Sequence, residues 1–329
     1  MNKLPIWGNQ IPYNRPDDKR NEMEIGSIFS KTLTGIRFIK VLIDPYRASS
    51  KKVIDTFTYM TEIKPGHQKE TYEDVPYLVP FPVAGSRHAV IVVPGGGLCY
   101  LSTDTDKEGH QGEGDLVAKA LNERGISAFV LWYRHHPYHF PAPFLDLQRA
   151  VRYLRFHAKD YGFDPDRIGA VGFSAGGYTV MAEICLAEGK TLFPPDYCPD
   201  AVDGMSDQLN FAAPVYPALS LHHNPNMVFA CFPRERALDE RERAAMEKES
   251  NLLAHINPRK LPYFTAYGTK DTMISLDEIQ LLTASLMKAG CPVTSVPVEG
   301  AGHGFGAAEK EMKRYGYWLE QFVDWVKQQ

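Results

Sequence analysis

Ile168-Gly-Ala-Val-Gly-Phe-Ser-Ala-Gly-Gly177 runs without a break into Tyr178-Thr-Val-Met-Ala-Glu-Ile-Cys-Leu-Ala187. The first six residues are apolar or small and read as a strand, and Tyr178 to Ala187 read as a helix, so Ser174 stands on the turn between them. Gly172-Phe-Ser-Ala-Gly176 fits the pattern G-x-S-x-G in the context that gives it meaning, strand before and helix after. A serine on so sharp a turn needs small residues two places away on either side, because strand and helix must approach there without collision. The turn aims the hydroxyl out of the carboxyl edge of a sheet, and the free N–H groups at the helix start face any oxyanion that forms beside it.

Outward from this point, strands and helices alternate. Upstream, His88 to Val93 is an apolar run that ends in Pro94-Gly-Gly-Gly97, a strand buried on both faces followed by a turn. Gly114 to Arg124 reads as a helix stopped by Gly125, and Ile126 to Tyr133 as the next strand. Asp146 to Tyr161 spaces Leu147, Val151, Leu154, Ala158 and Tyr161 as one helical face, with Arg149, Arg152 and Arg155 assigned to the polar side. Downstream, Phe211 to Val215, Tyr263 to Tyr267 and Val293 to Val298 read as strands, with a helix from about Ser275 to Ala289. A final helix carries Met312, Tyr315, Leu319, Phe322 and Val326 on one stripe. Repeated strand, helix, strand requires parallel pairing with right-handed crossovers, hence an α/β fold with a mostly parallel central sheet flanked by helices. Thr71 to Val83, broken by Pro76, Pro80 and Pro82, suits edge strands at its start.

Two segments stand outside the alternation. Residues 1–65 form an N-terminal segment of unclear role, in which Ile36 to Ile43 is a strand or a short helix. Residues 221–259 are too long for an ordinary loop and read as a cap or lid inserted in a core of residues 66–220 and 260–329. The middle of the insertion, Arg234 to Asn251, is dense in charge and suits a solvated helix with pairs such as Arg236 with Glu240. Met227, Phe229 and Phe232 are its candidates for influencing selectivity.

Composition narrows the partners. The 329 residues are 44% hydrophobic and 23% charged, with 36 Lys and Arg against 40 Asp and Glu, a formal charge of -4. That balance lacks the basic excess of nucleic-acid or anionic-membrane binding. No stretch approaches the roughly 18 apolar residues of a membrane span. Five scattered cysteines form no CxxC pair, which points to a reducing compartment and a cytoplasmic protein. A homo-oligomer is compatible with all of this.

A nucleophilic serine needs a base and an acid to orient it, in the chain order Ser, Asp, His for this architecture. Asp271 directly follows the strand Tyr263 to Tyr267, and His303 follows the last strand among glycines in Gly300-Ala-Gly-His-Gly-Phe-Gly306. Three strand ends thus bring Ser174, Asp271 and His303 to one edge, and Asp277, inside the next helix, is the weaker choice of acid. The glycines after Val93 mark a second source of oxyanion donors; a dinucleotide loop is disfavoured because G-x-G-x-x-G spacing is missing. His135, His136 and His139 invite a metal, but Pro137 breaks their helical spacing and no cysteine or carboxylate pair completes a zinc set, so no metal and no cofactor are expected.

Val93-Pro-Gly-Gly-Gly97, Leu131-Trp-Tyr-Arg134, Pro143-Phe-Leu-Asp-Leu-Gln-Arg-Ala-Val-Arg152, Asp164-Pro-Asp-Arg-Ile168, Gly172-Phe-Ser-Ala-Gly-Gly177, Tyr267-Gly-Thr-Lys-Asp271 and Gly302-His-Gly-Phe305 together resemble the α/β-hydrolase esterases. The nearest branches are the acetylxylan-esterase-like and hormone-sensitive-lipase-like carboxylesterases. The resemblance spans roughly residues 85–329. It implies Ser174 as nucleophile, Asp271 and His303 as partners, and an oxyanion hole from the N–H groups of Gly96, Gly97 and Ala175. Pro94 departs from the usual histidine of the lipase motif, Tyr178 stands where histidine or leucine is common, and residues 1–65 match nothing in the family.

The implied activity is hydrolysis of small, short-acyl esters, with acetyl esters of sugars or xylo-oligosaccharides as the leading case, on family resemblance alone. Leu98 and Tyr100 after the donor loop, and Phe173 and Tyr178 beside the nucleophile, are expected to shorten the acyl channel. A peptidase or thioesterase of the same fold and a non-catalytic hydrolase-like binding protein are the alternatives.

Overall fold

The computed structural model describes residues 3–14, 71–103, 112–221, 224, 226–233, 236, 239–257, 259–307 and 309–329. The expected element at Ile36 to Ile43 lies outside the described residues. The strands are β1 (Leu4–Pro5), β2 (Tyr77–Phe81), β3 (Ala89–Val93), β4 (Ser127–Trp132), β5 (Ile168–Phe173), β6 (Phe211–Val215), β7 (Tyr263–Gly268) and β8 (Val293–Val298). They form one sheet in the order β1-β2-β4-β3-β5-β6-β7-β8. From β4 through β8 all neighbours are parallel, while β1 and β2 are antiparallel to their partners.

The helices are α1 (Asp115–Asn122), α2 (Ala142–Phe156), α3 (Ala158–Tyr161), α4 (Ala175–Ala182), α5 (Asn226–Cys231), α6 (Glu240–Glu249), α7 (Leu276–Lys288), α8 (Glu309–Tyr315) and α9 (Tyr317–Val326). Every residue of β3 is buried. Its alternation divides the core: Ala89, Ile91 and Val93 meet Leu147, Val151 and Val180 on the α2 and α4 face. Val90 and Val92 meet Val117, Leu121, Leu319 and Phe322 on the α1 and α9 face. Each Val, Leu, Ile or Phe side chain taken from water here stabilises the fold by about 1.5–3 kcal/mol.

The packing corrects or completes four readings of the sequence. First, β2 is the second strand rather than the edge, but β1 covers only Tyr77 and Leu78, and Pro80 falls beyond that cover. Second, residues 3–14, part of the segment whose role the sequence leaves unclear, join the core: Ile6 and Trp7 are buried, and the Trp7 indole N–H donates to Asp146 Oδ1 at 2.8 Å.

Third, Arg149 and Arg152 are buried rather than solvated. Arg149 pairs with Asp200 at 2.6 Å and Asp203 at 2.7 Å, and Arg152 with Asp207 at 3.1 Å, because the chain between α4 and β6 folds back over this face of α2. Fourth, the helix after the serine stays α-helical only to Ala182 and continues as one π turn over Glu183–Ala187. The C-terminal stripe is likewise carried by two helices, α8 and α9, parted at Gly316.

Candidate active site

Ser174 sits at φ 51° and ψ -116°, between the last residue of β5 and the first of α4. A side chain at this φ is strained, and the surroundings hold it there. Its N–H donates to Val215 O at 3.1 Å, and its carbonyl accepts from Tyr178 N at 3.0 Å and Ala218 N at 3.2 Å. The flanking glycines are needed for the approach: a Cβ on Gly176 would stand 2.1 Å from Val93 O, and one on Gly172 would stand 2.4 Å from Gly176 O.

Asp271 and His303 arrive on the loops after β7 and β8. Gly268 lets these loops pack together, since a Cβ there would meet Ala301 O at 2.4 Å. Lys270 N–H then donates to Ala301 O at 2.9 Å. His303 Nδ1 lies 2.8 Å from Asp271 Oδ2, and His303 Nε2 lies 2.9 Å from Ser174 Oγ. Both partners are largely withdrawn from water, with side-chain exposures of 10% for His303 and 4% for Asp271. Asp277, the rival acid, is exposed at the start of α7. The arrangement can pass a proton from hydroxyl to imidazole while the carboxylate faces the opposite ring nitrogen, the geometry that activates a serine.

The glycine loop after β3 lies against the serine, with a Cβ on Gly95 only 3.0 Å from Ser174 Cβ. Gly96 and Gly97 have φ of 118° and 65°, conformations open to glycine, and a Cβ on Gly96 would strike Tyr100 O at 2.0 Å. Among the described residues no group accepts the N–H of Gly96 or Gly97. Ala175 N–H stands at the first position of α4, where a helix leaves its N–H groups without intrahelical acceptors.

Of the residues expected to bound the acyl channel, three are buried. Leu98 and Phe173 are fully buried, Phe173 on the α9 side against Trp318 at 5.9 Å between ring centres. The alternation of β5 turns it to that face. Tyr178 is buried and donates its hydroxyl to Ser250 O at 3.0 Å, pinning the chain after α6 to the helix after the serine. Tyr100 keeps partial exposure.

In the expected insertion, Met227 is buried in the core and Phe232 lies beside Phe140 at 6.5 Å; the side chain of Phe229 lies outside the described residues. Arg236 pairs with Glu242 at 2.6 Å, not with the expected Glu240.

His135 and His136 are buried. The two nitrogens of His135 face His136 O and Thr71, and burial pushes its pKa down to about 4. His139 lines a cavity of about 860 Å³ near Gln10 and Tyr138. Among the described residues no group of three or more His, Cys, Asp or Glu could hold a metal, and no helix is long and apolar enough to cross a membrane.

One fully buried carboxyl, Glu113, escaped the sequence reading. It accepts from Gly95 N–H at 2.8 Å and from the Tyr216 hydroxyl at 2.9 Å, and burial raises its pKa. Its segment carries no motif, so only the fold brings it to the site.

The model of the family described as BD-FAE matches residues 79–286. An acetylxylan esterase of Xylanibacter ruminicola is 26% identical over 249 residues, which cover 74% of this chain and 46% of that protein. The chain spans about half the length or less of the curated relatives it matches.

Among solved structures, an acetyl ester-xyloside bifunctional hydrolase from Caldicellulosiruptor lactoaceticus superposes with a TM-score of 0.66 at 23% identity, covering 99% of this chain and 96% of that one. The propionate-bound esterase Est2 of Thermogutta terrifontis gives a TM-score of 0.60 at 25% identity, over 77% of this chain and 89% of that one. The fold is that of the α/β-hydrolases, as the motifs imply.

Proposed function

Because the chain belongs to the BD-FAE family, we propose that it is a serine carboxylesterase acting on small, short-acyl esters through an acyl-enzyme. The observation that carries this is the unbroken relay from Ser174 Oγ to His303 at 2.9 Å and on to Asp271 at 2.8 Å, mounted on a strained serine. In the proposed cycle His303 takes the proton of Ser174 as the hydroxyl oxygen attacks the ester carbonyl. The N–H groups of Gly96, Gly97 and Ala175 receive the oxyanion, each such donor contributing about 2.7–4 kcal/mol to the transition state. His303 then protonates the leaving alcohol. Water, deprotonated by the same imidazole, releases the acid and restores the serine.

Acetyl esters of sugars or xylo-oligosaccharides are the leading substrates, a choice supported by the acetylxylan esterase relative and by an esterase of this fold with propionate bound. We take residues 221–259 as a cap on the core of residues 66–220 and 260–329; the bond from Tyr178 to Ser250 supports its fixed seating beside the nucleophile's helix. All five cysteines are free thiols, which suits a reducing compartment, and we place the protein in the cytoplasm.

The test is Ser174→Ala. The variant should keep the fold and lose both ester turnover and fluorophosphonate labelling; wild-type-like labelling of the variant would refute the assignment. On the intact enzyme, kcat/KM should be highest for acyl groups of two to about four carbons, with a shallow profile among them because each methylene changes transition-state binding by only about 0.8 kcal/mol. Inactivity on acetylated xylo-oligosaccharides would remove the sugar assignment and leave the esterase.

A further inference from the structure

We propose that Glu113 and Tyr216 are positioning residues, a buried strut that holds the oxyanion loop and the histidine loop in register around Ser174. This rests on the esterase reading above. The strut is continuous: Gly95 N–H donates to Glu113 Oε2 at 2.8 Å, the Tyr216 hydroxyl donates to Glu113 Oε1 at 2.9 Å, and the same hydroxyl accepts from Gly306 N–H at 3.1 Å. One end is therefore the residue before Gly96 and Gly97, and the other is three residues beyond His303. A further bond, from Ala307 N–H to Gly112 O at 3.1 Å, ties the histidine loop to the residue before Glu113. Trp318 holds Gly306 from the other side through its indole N–H at 3.2 Å.

Tyr216 is also placed to set the imidazole. Its ring meets His303 edge to face at 5.1 Å between centres, and meets Phe305 at 4.6 Å. Its backbone has a φ of 34°, strained for a residue with a side chain, directly after the Val215 whose carbonyl accepts the Ser174 N–H. Strain of this kind persists only where the surroundings over-determine it. Glu113 is fully buried, and among the described residues no lysine or arginine pairs with it. A carboxyl in that setting costs stability relative to an apolar side chain of similar volume, so stability alone does not account for it. Geometry does: one carboxyl oxygen meets the glycine loop and the other, through the Tyr216 hydroxyl, meets the histidine loop.

The test uses the full chain with Tyr216→Phe, Glu113→Gln and the double variant, each near in shape to the original. Turnover and KM for 4-nitrophenyl acetate are measured per fluorophosphonate-titrated site, with the thermal midpoint recorded beside them. Each single variant is expected to lose about 10- to 100-fold in kcat per titrated site, the scale of a misplacement of about 1 Å, with KM nearly unchanged. The double variant should be no worse than the weaker single, because the strut is then already cut.

Wild-type kcat per titrated site in Tyr216→Phe would overturn the proposal even if the number of active sites or the midpoint fell, since that pattern describes a structural residue only. Multiplicative losses in the double variant would overturn it too. A wild-type protein that neither labels nor turns over would instead remove the esterase reading; a labelled wild type with variants equal to it would remove the strut alone.

Discussion

Asp271 divides its carboxylate between His303 and its own loop: Oδ2 faces His303 Nδ1 at 2.8 Å, while Oδ1 accepts from Met273 and Ile274 N–H at 2.8 and 2.9 Å. The loop bonds fix the direction from which the carboxylate meets the ring. Asp271→Asn can keep an oxygen on those N–H groups, but it then turns an amide toward the imidazole and favours the wrong tautomer. Turnover of 4-nitrophenyl acetate should fall by as much as ~10⁴-fold. Asp277→Asn, made in parallel, should be silent; a large loss there would overturn the choice of acid.

Gly176 is where the turn has no room to give. A Cβ would stand 2.1 Å from Val93 O and 2.5 Å from Pro94 O, both backbone atoms of the neighbouring strand end. Gly176→Ala should lose about 1–3 kcal/mol or more in urea unfolding, together with fluorophosphonate labelling. Gly204→Ala, whose Cβ would meet only Ala201 O at 3.5 Å, should stay within about 0.5 kcal/mol of the wild type. Equal stability of the two variants would contradict the packing.

Glu183 supplies a pH dependence. Both its oxygens are buried without a hydrogen-bond partner among the described residues, and burial, reinforced by Asp207 and Glu188, pushes its carboxyl well above the usual range. A carboxyl with a raised folded-state pKa binds its proton more tightly when folded. Its contribution is therefore full below the unfolded value of about 4.3 and is lost as pH rises toward the folded value. Glu183→Gln cannot ionise, so its stability relative to the wild type should increase from about pH 4 to pH 8. Urea midpoints that run parallel across that range would mean the carboxyl titrates alike in both states.

Arg149 is 2% exposed at its side chain and meets Asp200, Asp203 and the carbonyl of Ile6 at 2.6 to 2.7 Å. Arg149→Ala leaves the side chain of Asp203, 3% exposed, without that cation, and should cost about 3–5 kcal/mol by chemical denaturation. Arg241→Ala, on the exposed side of α6, should change stability by less than about 0.5 kcal/mol. A similar small change at Arg149 would show that the cluster is not coupled to folding.

These cases also mark where sequence reading succeeds and where it stops. The meeting of Ser174, Asp271 and His303 was legible because each lies in the connection after a strand of the parallel sheet, so all three come to one sheet edge. β3 was legible because burial on both faces leaves an unbroken aliphatic run. Arg149 was not: a charge opposite an apolar stripe normally faces water, and its partners Asp200 and Asp203 lie on a segment with no periodicity to announce where it returns. The period of two along β5 sets the Phe173 ring beside Tyr216 and Trp318 on the α9 side. Glu113 and Tyr216 belong to different motif-free segments, so their meeting exists only once the sheet has formed. The two residues of β1 are too few to carry any periodic signal.

The bond from Trp7 to Asp146 spans 139 positions of sequence, and those from Arg149 to Ile6 and from Arg134 to Pro12 span 143 and 122. On a ribosome adding about 5–20 residues per second, the start of the chain would wait roughly 7 to 28 s before Asp146 followed Trp7 into being. During that interval Ile6 and Trp7 have none of these partners. Ile6 and Trp7 therefore reach their native partners only after the chain through Arg149 has been made, although the strand that pairs with β1 is made well before that.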